Sequence, residues 1–372
     1  MKFIHLINRN HPSLTTRAIS FLSQEYFQEK HSLCTISYFN KIRDDVDTNG
    51  IQNFDIKNSR SIIPFLKLYK HLDKYDVVVL HGMYINRWGM VLLMLLKPGL
   101  LKKIVWIGFG QDIYEFDYRK SNSVFEKFKL KVFLKCYKRI KAFIGIFPPD
   151  VEIFNKRISN SIPSYYAPYT YSNDTYFNQE YIKHDCLVEK YKLNKPIKIL
   201  IGHRGAEFFN HKKWINELKR FKGNNIQIYI PLGGASESYI KEIKTIASSE
   251  TDLDIIVFDK FIPYNQLIDL SKNIDIAIFD SNFQVALGTM YLLFFHGVKI
   301  YLPSTSIMYK TFKEKNIPIE NLDIVNKIDF YNFIEDVDMK PAYDYVKHIK
   351  NFENSILLWQ QTFEQIEAQS KK

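Results

Sequence analysis

The chain has 372 residues, 46% apolar and 15% aromatic, and its 51 Lys and Arg against 40 Asp and Glu give a net charge of +11. That length suits two domains with ordinary cores, and the basic excess suits either an anionic partner or simple solubility. Cys34, Cys136 and Cys186 are too few and too scattered for a disulfide framework or a zinc cluster, and the longest apolar stretch, Trp88 to Leu96, falls short of the roughly 20 residues of a membrane span.

The first half reads as alternating strands and helices. Phe3–Ile7 is a buried-type strand rather than a signal peptide, and Ser13–Tyr26 carries apolar residues at helical spacing. Ser32–Phe39 is a strand, Ile62–Leu72 a helix, and the β-branched run Asp76–Leu80 a strand ending at His81-Gly82. Arg87–Leu96 is helical and stops at Pro98-Gly99. Lys103–Ile107 is a strand leading to Asp112. Phe125–Lys141 is a long basic helix, and Ala142–Phe147 a strand closed by Pro148-Pro149. Residues 150–195 show no period and read as an interdomain crossing.

The pattern then restarts. Ile197–Ile201, Ile226–Pro231, Ile255–Phe258, Ile274–Asp280 and Lys299–Leu302 are strands. Lys212–Phe221, Ser236–Ser248, Tyr264–Lys272 and Gly288–His296 are the helices between them, and a last helix covers about Val346–Gln369. Strands alternating with helices of this length imply parallel sheets covered on both faces. The expected fold is α/β, two Rossmann-like domains facing a cleft. The first is placed at 1–165 and the second at 166–345, with 346–372 packing back toward the first.

Several chemistries are excluded by pattern. The first strand runs into Asn8-Arg9-Asn10-His11-Pro12 with no glycine fingerprint, against a nicotinamide or flavin dehydrogenase. No phosphate-loop, H-E-x-x-H or G-x-S-x-G motif is present. What remains are strand ends, where ligands bind in open α/β sheets.

Asp112 is a general base that activates an acceptor hydroxyl, a residue that orients a donor sugar, or the cap of a short helix, with Glu115 and Asp117 as runners-up. His81 either meets an acceptor or is a satisfied strand-end histidine. Gly202-His203-Arg204-Gly205 suits a diphosphate, because glycines let backbone approach oxygens and Arg204 supplies a forked cation; a plain turn would also favour glycine. Gly233-Gly234 ends another strand. Gly288 and Thr289 start a helix whose amides suit a phosphate, or merely start a helix. From Arg119 to Lys141 the chain carries nine Lys or Arg and one Glu. Phe125, Phe128, Val132, Cys136 and Ile140 share one helical face beside Lys127, Lys131, Lys135 and Lys138. Such a helix suits an anionic membrane surface, or a core-facing position with a solvated basic face.

These residues resemble a known family, the TDP-N-acetylfucosamine:lipid II N-acetylfucosaminyltransferases of glycosyltransferase family 56, which act in enterobacterial common antigen assembly. The family element W-x-x-W-G-x-D-L-Y-E corresponds to Trp106, Phe109, Gly110, Asp112, Ile113, Tyr114 and Glu115. Its H-G matches His81-Gly82. Its V-G-N-S-G-D-R-S-N-E-H element corresponds to Ile201–His211, keeping Gly202, Gly205, Asn210 and His211. Its V-P-M-G-Y and Y-I-E-E-V elements correspond to Ile230–Gly234 and Tyr239–Ile243. Its Q-G-I-G-T-L element matches Gln284–Met290 loosely, keeping Gln284, Gly288 and Thr289. His203-Arg204 replaces the family's Asn-Ser, and Asn282-Phe283 stands where the family has Ala-Arg. Either the arginine has moved between loops around one diphosphate, or the donor differs.

The resemblance implies a two-domain glycosyltransferase-B architecture with no metal and no cofactor beyond the nucleotide diphosphate sugar, possibly TDP-linked, that serves as donor. Gly202, His203, Arg204, Gly205, Asn210, Gly233, Gln284, Gly288 and Thr289 would hold that donor. The acceptor would be a polyprenyl-diphosphate-linked saccharide, met at the cytoplasmic face of the bacterial inner membrane. Nucleic acid is not an expected partner. The rivals are a nucleotide-sugar epimerase of the same fold and a non-catalytic polyanion-binding protein.

Overall fold

The structure is a computed structural model that describes residues 1–8, 22, 25–37, 51–55, 63–82, 95–110, 112–114, 124–168, 175–181 and 186–370. The expected helices Ser13–Tyr26 and Arg87–Leu96 lie largely outside these residues, and Glu115 wholly so.

The chain forms two compact units, Met1–Asp174 with Ile349–Lys372, and Thr175–His348. In the first, β1 (Phe3–Asn8), β2 (His31–Ser37), β3 (Gln52–Asp55), β4 (Val77–His81), β5 (Ile104–Gly108), β6 (Ala142–Gly145) and β7 (Ser164–Tyr166) form a seven-stranded sheet in the order β3-β2-β1-β4-β5-β6-β7. In the second, β8 (Ile197–Ile201), β9 (Ile226–Pro231), β10 (Asp254–Phe258), β11 (Ile276–Ile278), β12 (Lys299–Leu302) and β13 (Glu320–Asn321) form a six-stranded sheet in the order β10-β9-β8-β11-β12-β13. Every pairing is parallel. Strand order reverses between β1 and β4, and again between β8 and β11. The carboxyl ends at these two reversals are where each sheet opens to a ligand.

The central strands are apolar on both faces, as parallel strands covered by helices must be. In the first unit Phe3, Val77, Val79, Val105, Ile107, Ala142 and Ile144 share one face with Trp359, Phe363 and Ile366 of the helix Phe352–Gln369. Trp359 donates its indole N–H to the Pro168 carbonyl at 3.0 Å. In the second unit Ile199, Ile201, Ile228, Ile230, Ile276 and Ile278 pack with Trp214, Leu218 and Phe333.

Three elements differ from the sequence reading. Pro148-Pro149 starts a helix, Pro148–Arg157, instead of only closing a strand: both prolines occupy its first turn, where a missing N–H costs nothing, and the Asp150 carboxylate accepts from Phe147 N. The boundary expected near 165 falls inside β7, an edge strand too short and polar to show a period. The single C-terminal helix is two, Lys340–Ile349 and Phe352–Gln369, because Asn351 caps the second by accepting from Asn354 N. That break is where the chain returns from the second unit to the first. Among the described residues no helix is long and apolar enough to cross a membrane.

Trp359 is fully buried and hydrogen bonded, so Trp359→Ala should cost about 3–5 kcal/mol. Urea unfolding followed by circular dichroism checks this, and a midpoint equal to wild type would show that the helix does not complete the core.

Candidate active site at the strand ends

In the first unit β5 ends at Gly108 and the chain turns at Gly110. The Asp112 carboxylate accepts from Phe109 N at 2.9 Å through one oxygen and from the Trp106 indole at 3.0 Å through the other. Trp106 is itself packed among Tyr137, Phe143 and Phe154. Asp112 therefore clamps the turn to the face covered by the helices Val124–Tyr137 and Pro148–Arg157. Beneath it lies Asp150, wholly buried, accepting from the Tyr114 hydroxyl and Phe147 N, both at 3.2 Å. Burial, and then the Asp112 charge nearby, hold the Asp150 carboxyl well above the usual carboxylate range. Sequence reading missed Asp150; its signal was an acid two residues inside a proline-started helix.

His81 ends β4 on the opposite face, in line with Val77 and Val79. Its Nε2 lies 2.9 Å from His5 Nδ1, and His5 Nε2 lies 2.9 Å from His31 Nδ1. Burial lowers all three: His81 and His31 fall to about 3, the latter helped by Lys30 and the amino terminus, and His5 falls well below the usual histidine value. The structure thus sets His81 and Asp112 on different faces of one sheet.

Lys127, Lys131, Lys135 and Lys138 are exposed, as the basic helix implies. Phe128 does not join the inner face with Cys136 and Ile140: it is 62% exposed, beside Val124 at 82%. Val124 and Phe128 thus present apolar side chains beside the exposed Lys127 and Lys131.

In the second unit β8 and β11 are neighbours, so the loops after them lie side by side. Gly202 has φ +68°, donates to Ile278 O at 2.8 Å, and leaves no room for a Cβ beside Phe209 and His211. At Gly205 a Cβ would stand 2.2 Å from Ala235 Cβ and 2.5 Å from Leu232 O. Gly233 is similarly crowded by the Phe261 backbone. These glycines pack turn on turn, and Arg204 is the cation of the first loop, three residues before the acid Glu207. Arg204 lies near the Phe208 ring, and Phe208 meets Phe283 at 4.9 Å, joining the two loops.

Asn210, in left-handed backbone at φ 53°, donates to Asp280 Oδ2 at 3.0 Å. The same oxygen accepts from Trp214 Nε1 at 2.9 Å and Lys213 Nζ at 3.2 Å. Asn210 and Asp280 thus fix the two loops to the helix His211–Leu218. His211 is wholly buried and meets the Tyr239 hydroxyl through Nδ1 at 3.0 Å. His211 Nε2 and Gln284 Oε1 are both buried without a hydrogen-bond partner among the described residues, an arrangement that asks for a ligand or water. Burial lowers His211 to about 4, and burial with Arg204 and His211 nearby lowers His203 to about 3. The helix Leu287–Phe295 follows, with Ala286 at φ 58° as its cap and no side-chain capping bond. Gly288 and Thr289 lie in its first turn, where the amides and helix dipole favour an anion. The sequence-predicted donor residues therefore gather along one edge of the second sheet, around its strand-order reversal.

The model of a family described as 4-alpha-L-fucosyltransferase, glycosyl transferase group 56, matches residues 1–341. Among solved structures the chain is similar to HepE of Anabaena, crystallised with UDP and glucose, at TM-score 0.69 and 11% identity over 99% of each chain. It is similar to a glycosyltransferase of Rickettsia africae at TM-score 0.63 and 16% identity, over 99% of this chain and 98% of that one. WaaG, a glycosyltransferase involved in lipopolysaccharide biosynthesis, gives TM-score 0.61 and 12% identity over 98% of this chain and 99% of that one. The shared architecture is the glycosyltransferase-B fold, two parallel-sheet α/β domains.

Gly205→Ala should destabilise the second unit by about 1–3 kcal/mol through overpacking, read as a lower urea midpoint; an unchanged midpoint would show that the turns can part freely. The histidines give a pH dependence. Unfolded histidines titrate near 6.5, while folded His31 and His81 titrate near 3. Between those values the unfolded chain binds protons that the folded chain refuses. The stability is therefore complete above about pH 6.5 and is lost as pH falls toward 3. Denaturant midpoints at pH 7 and pH 5 should differ in that sense, and equal midpoints would contradict neutral buried imidazoles.

Proposed function

We propose that this chain, which belongs to the 4-alpha-L-fucosyltransferase family of group 56 glycosyltransferases, moves an amino- or deoxy-sugar from a nucleotide diphosphate donor to a lipid-linked saccharide. The product would serve bacterial surface polysaccharide synthesis. The observation that carries the donor reading is the convergence of Arg204, buried Gln284 and the uncapped first turn of Leu287–Phe295 on neighbouring strand ends. A cation and a helix N-terminus together complement a leaving diphosphate. The UDP in the HepE crystals supports the same class of donor here, with TDP as the nucleotide the family resemblance favours.

The reaction we propose is a direct displacement. The acceptor oxygen bonds to the donor's anomeric carbon, the bond from that carbon to the phosphate oxygen breaks, and its electron pair leaves with the nucleotide diphosphate. Arg204 and the amides around Gly288 and Thr289 balance the charge that develops there. His81, neutral at physiological pH, takes the acceptor proton. Asp112, accepting from Trp106 and Phe109, holds the turn at Gly110. No resident metal is required, so turnover should survive chelators.

Attachment to the cytoplasmic face of the inner membrane would come through the helix Val124–Tyr137. Val124 and Phe128 supply apolar contact, and Lys127, Lys131, Lys135 and Lys138 the attraction to anionic lipid, about 1 kcal/mol for each lysine near the surface.

A thermal-shift screen against TDP, UDP, GDP and ADP should show stabilisation by one or two of them, since a ligand that binds only the folded state raises its stability. Arg204→Ala should weaken that nucleotide about 10- to 100-fold; an unchanged affinity would remove Arg204 from the diphosphate. Radiolabelled transfer to a polyprenyl-diphosphate-linked saccharide tests the acceptor, and flotation of a Lys127→Glu, Phe128→Ser variant with anionic vesicles tests the membrane face. Wild-type flotation would place the contact elsewhere.

A further inference from the structure

Gln284 is only 4% exposed, and its side-chain oxygen is buried without a hydrogen-bond partner among the described residues. An acceptor in that state has given up water for nothing, a cost that a ligand can repay. His211 Nε2, in the same condition, stands 3.0 Å from where a Cβ on Gly202 would be, against the strand-end turn. Gln284 lies elsewhere, on the loop after β11, three residues before the helix Leu287–Phe295 begins.

That loop is pinned on both sides of Gln284. Before it, Asp280 accepts from Asn210, Lys213 and Trp214. The Asn282 side-chain oxygen accepts from the Thr305 hydroxyl at 2.6 Å, and the Ser281 hydroxyl donates to Phe283 O at 3.2 Å. After it, Met290 N donates to Ala286 O at 2.9 Å. Phe283 and Val285, the chain neighbours of Gln284, are buried. An acceptor fixed in this way selects its partner instead of adapting to it.

We propose that Gln284 reads the sugar of the donor: its side-chain oxygen accepts from a hydroxyl, or from the N–H of an acetamido group, on the sugar to be transferred. This rests on the donor reading given above, and it sets Gln284 apart from the groups that hold the diphosphate. An ionised diphosphate offers only acceptor oxygens, so an amide oxygen would meet it acceptor to acceptor. Arg204 and the amides in the first turn of Leu287–Phe295 are donors and suit it. Gln284 suits a group attached to the diphosphate. Two are attached, the nucleoside and the sugar, and the sugar carries the anomeric carbon that must be kept from water. Ser281, Phe283, Gln284 and Val285 make the loop after β11 a buried one, whereas the loop after β10 presents exposed Lys260 and Phe261, the latter 56% exposed. The buried acceptor therefore goes with the reacting end. Being neutral, it accepts there without repelling the diphosphate beside it, as a carboxylate would. A sugar lacking the recognised group leaves that oxygen unpaired and is rejected.

The test uses the full chain and whichever of TDP, UDP, GDP and ADP stabilises it, bare and as its conjugates with glucose, fucose and N-acetylglucosamine, titrated by calorimetry. Gln284→Leu and the unbranched Gln284→Met remove the acceptor at similar volume. Both should bind the bare nucleotide within about twofold of wild type and the best-bound conjugate about tenfold more weakly. A loss on every conjugate identifies a hydroxyl, and a loss confined to the acetamido sugar identifies its N–H. Without ligand, their urea midpoints should equal or exceed wild type, because an unpaired buried acceptor is gone. Lower midpoints in both variants would show that the amide is already bonded within the protein, and would overturn the assignment. So would an equal loss on the bare nucleotide, which would move Gln284 to the nucleoside or the diphosphate. Wild-type affinity for every conjugate, or a wild-type protein that binds the nucleotide but no conjugate, would overturn it as well. If no nucleotide binds the wild-type protein, the donor reading itself falls, and this assignment with it.

Discussion

Parallel pairing is the constraint on which everything else depends. With each strand aligned to its neighbour, every carboxyl end in a sheet opens on one edge, and every amino end on the other. Helix starts and phosphate-favouring amides therefore collect on one edge without any local instruction. The second unit shows the result: the loops after β8, β9 and β11 become neighbours although 30 or more residues separate them in sequence. Glycines at 202, 205 and 233 allow those loops to touch. Asp280, accepting from three donors, keeps them from drifting.

Much of this was legible in the residues. The β-branched runs around Val77, Ile104 and Ile199 announce central strands because burial on both faces needs unbroken apolar sequence. The end positions His81, Asp112, Gly202 and Gly288 follow from where those runs stop. β3, β7 and β13 were not legible, since short edge strands owe their pairing to a neighbour already in place. Nor were roles. Gly202 and Gly205 look alike in sequence to phosphate-binding glycines, and only the crowding at their Cβ positions shows the packing each one permits. Nor did the sequence show that Trp106 and Phe109 donate to the two Asp112 oxygens. His5 and His31 carried no signal, because three strands must pair before their rings meet.

The two units use charge differently. The first buries three imidazoles whose proton affinity burial lowers and one carboxyl whose proton affinity burial raises, and it exposes a row of lysines on an outer helix. The second brings an arginine and a helix terminus together at one edge. One arrangement keeps charge out of a buried core, and the other leaves a cation beside a helix start.

The break at Lys350-Asn351 has a consequence for how the protein is made. The face of Phe3, Val77, Val79, Val105 and Ile107 is covered by Trp359, Phe363 and Ile366, which are synthesised only after the whole second unit. At about 5–20 residues per second, that interval is roughly 10–35 s. Throughout it that face has only its early-made cover, such as Leu22, Phe27 and Ala167. The last helix is the piece that completes that core.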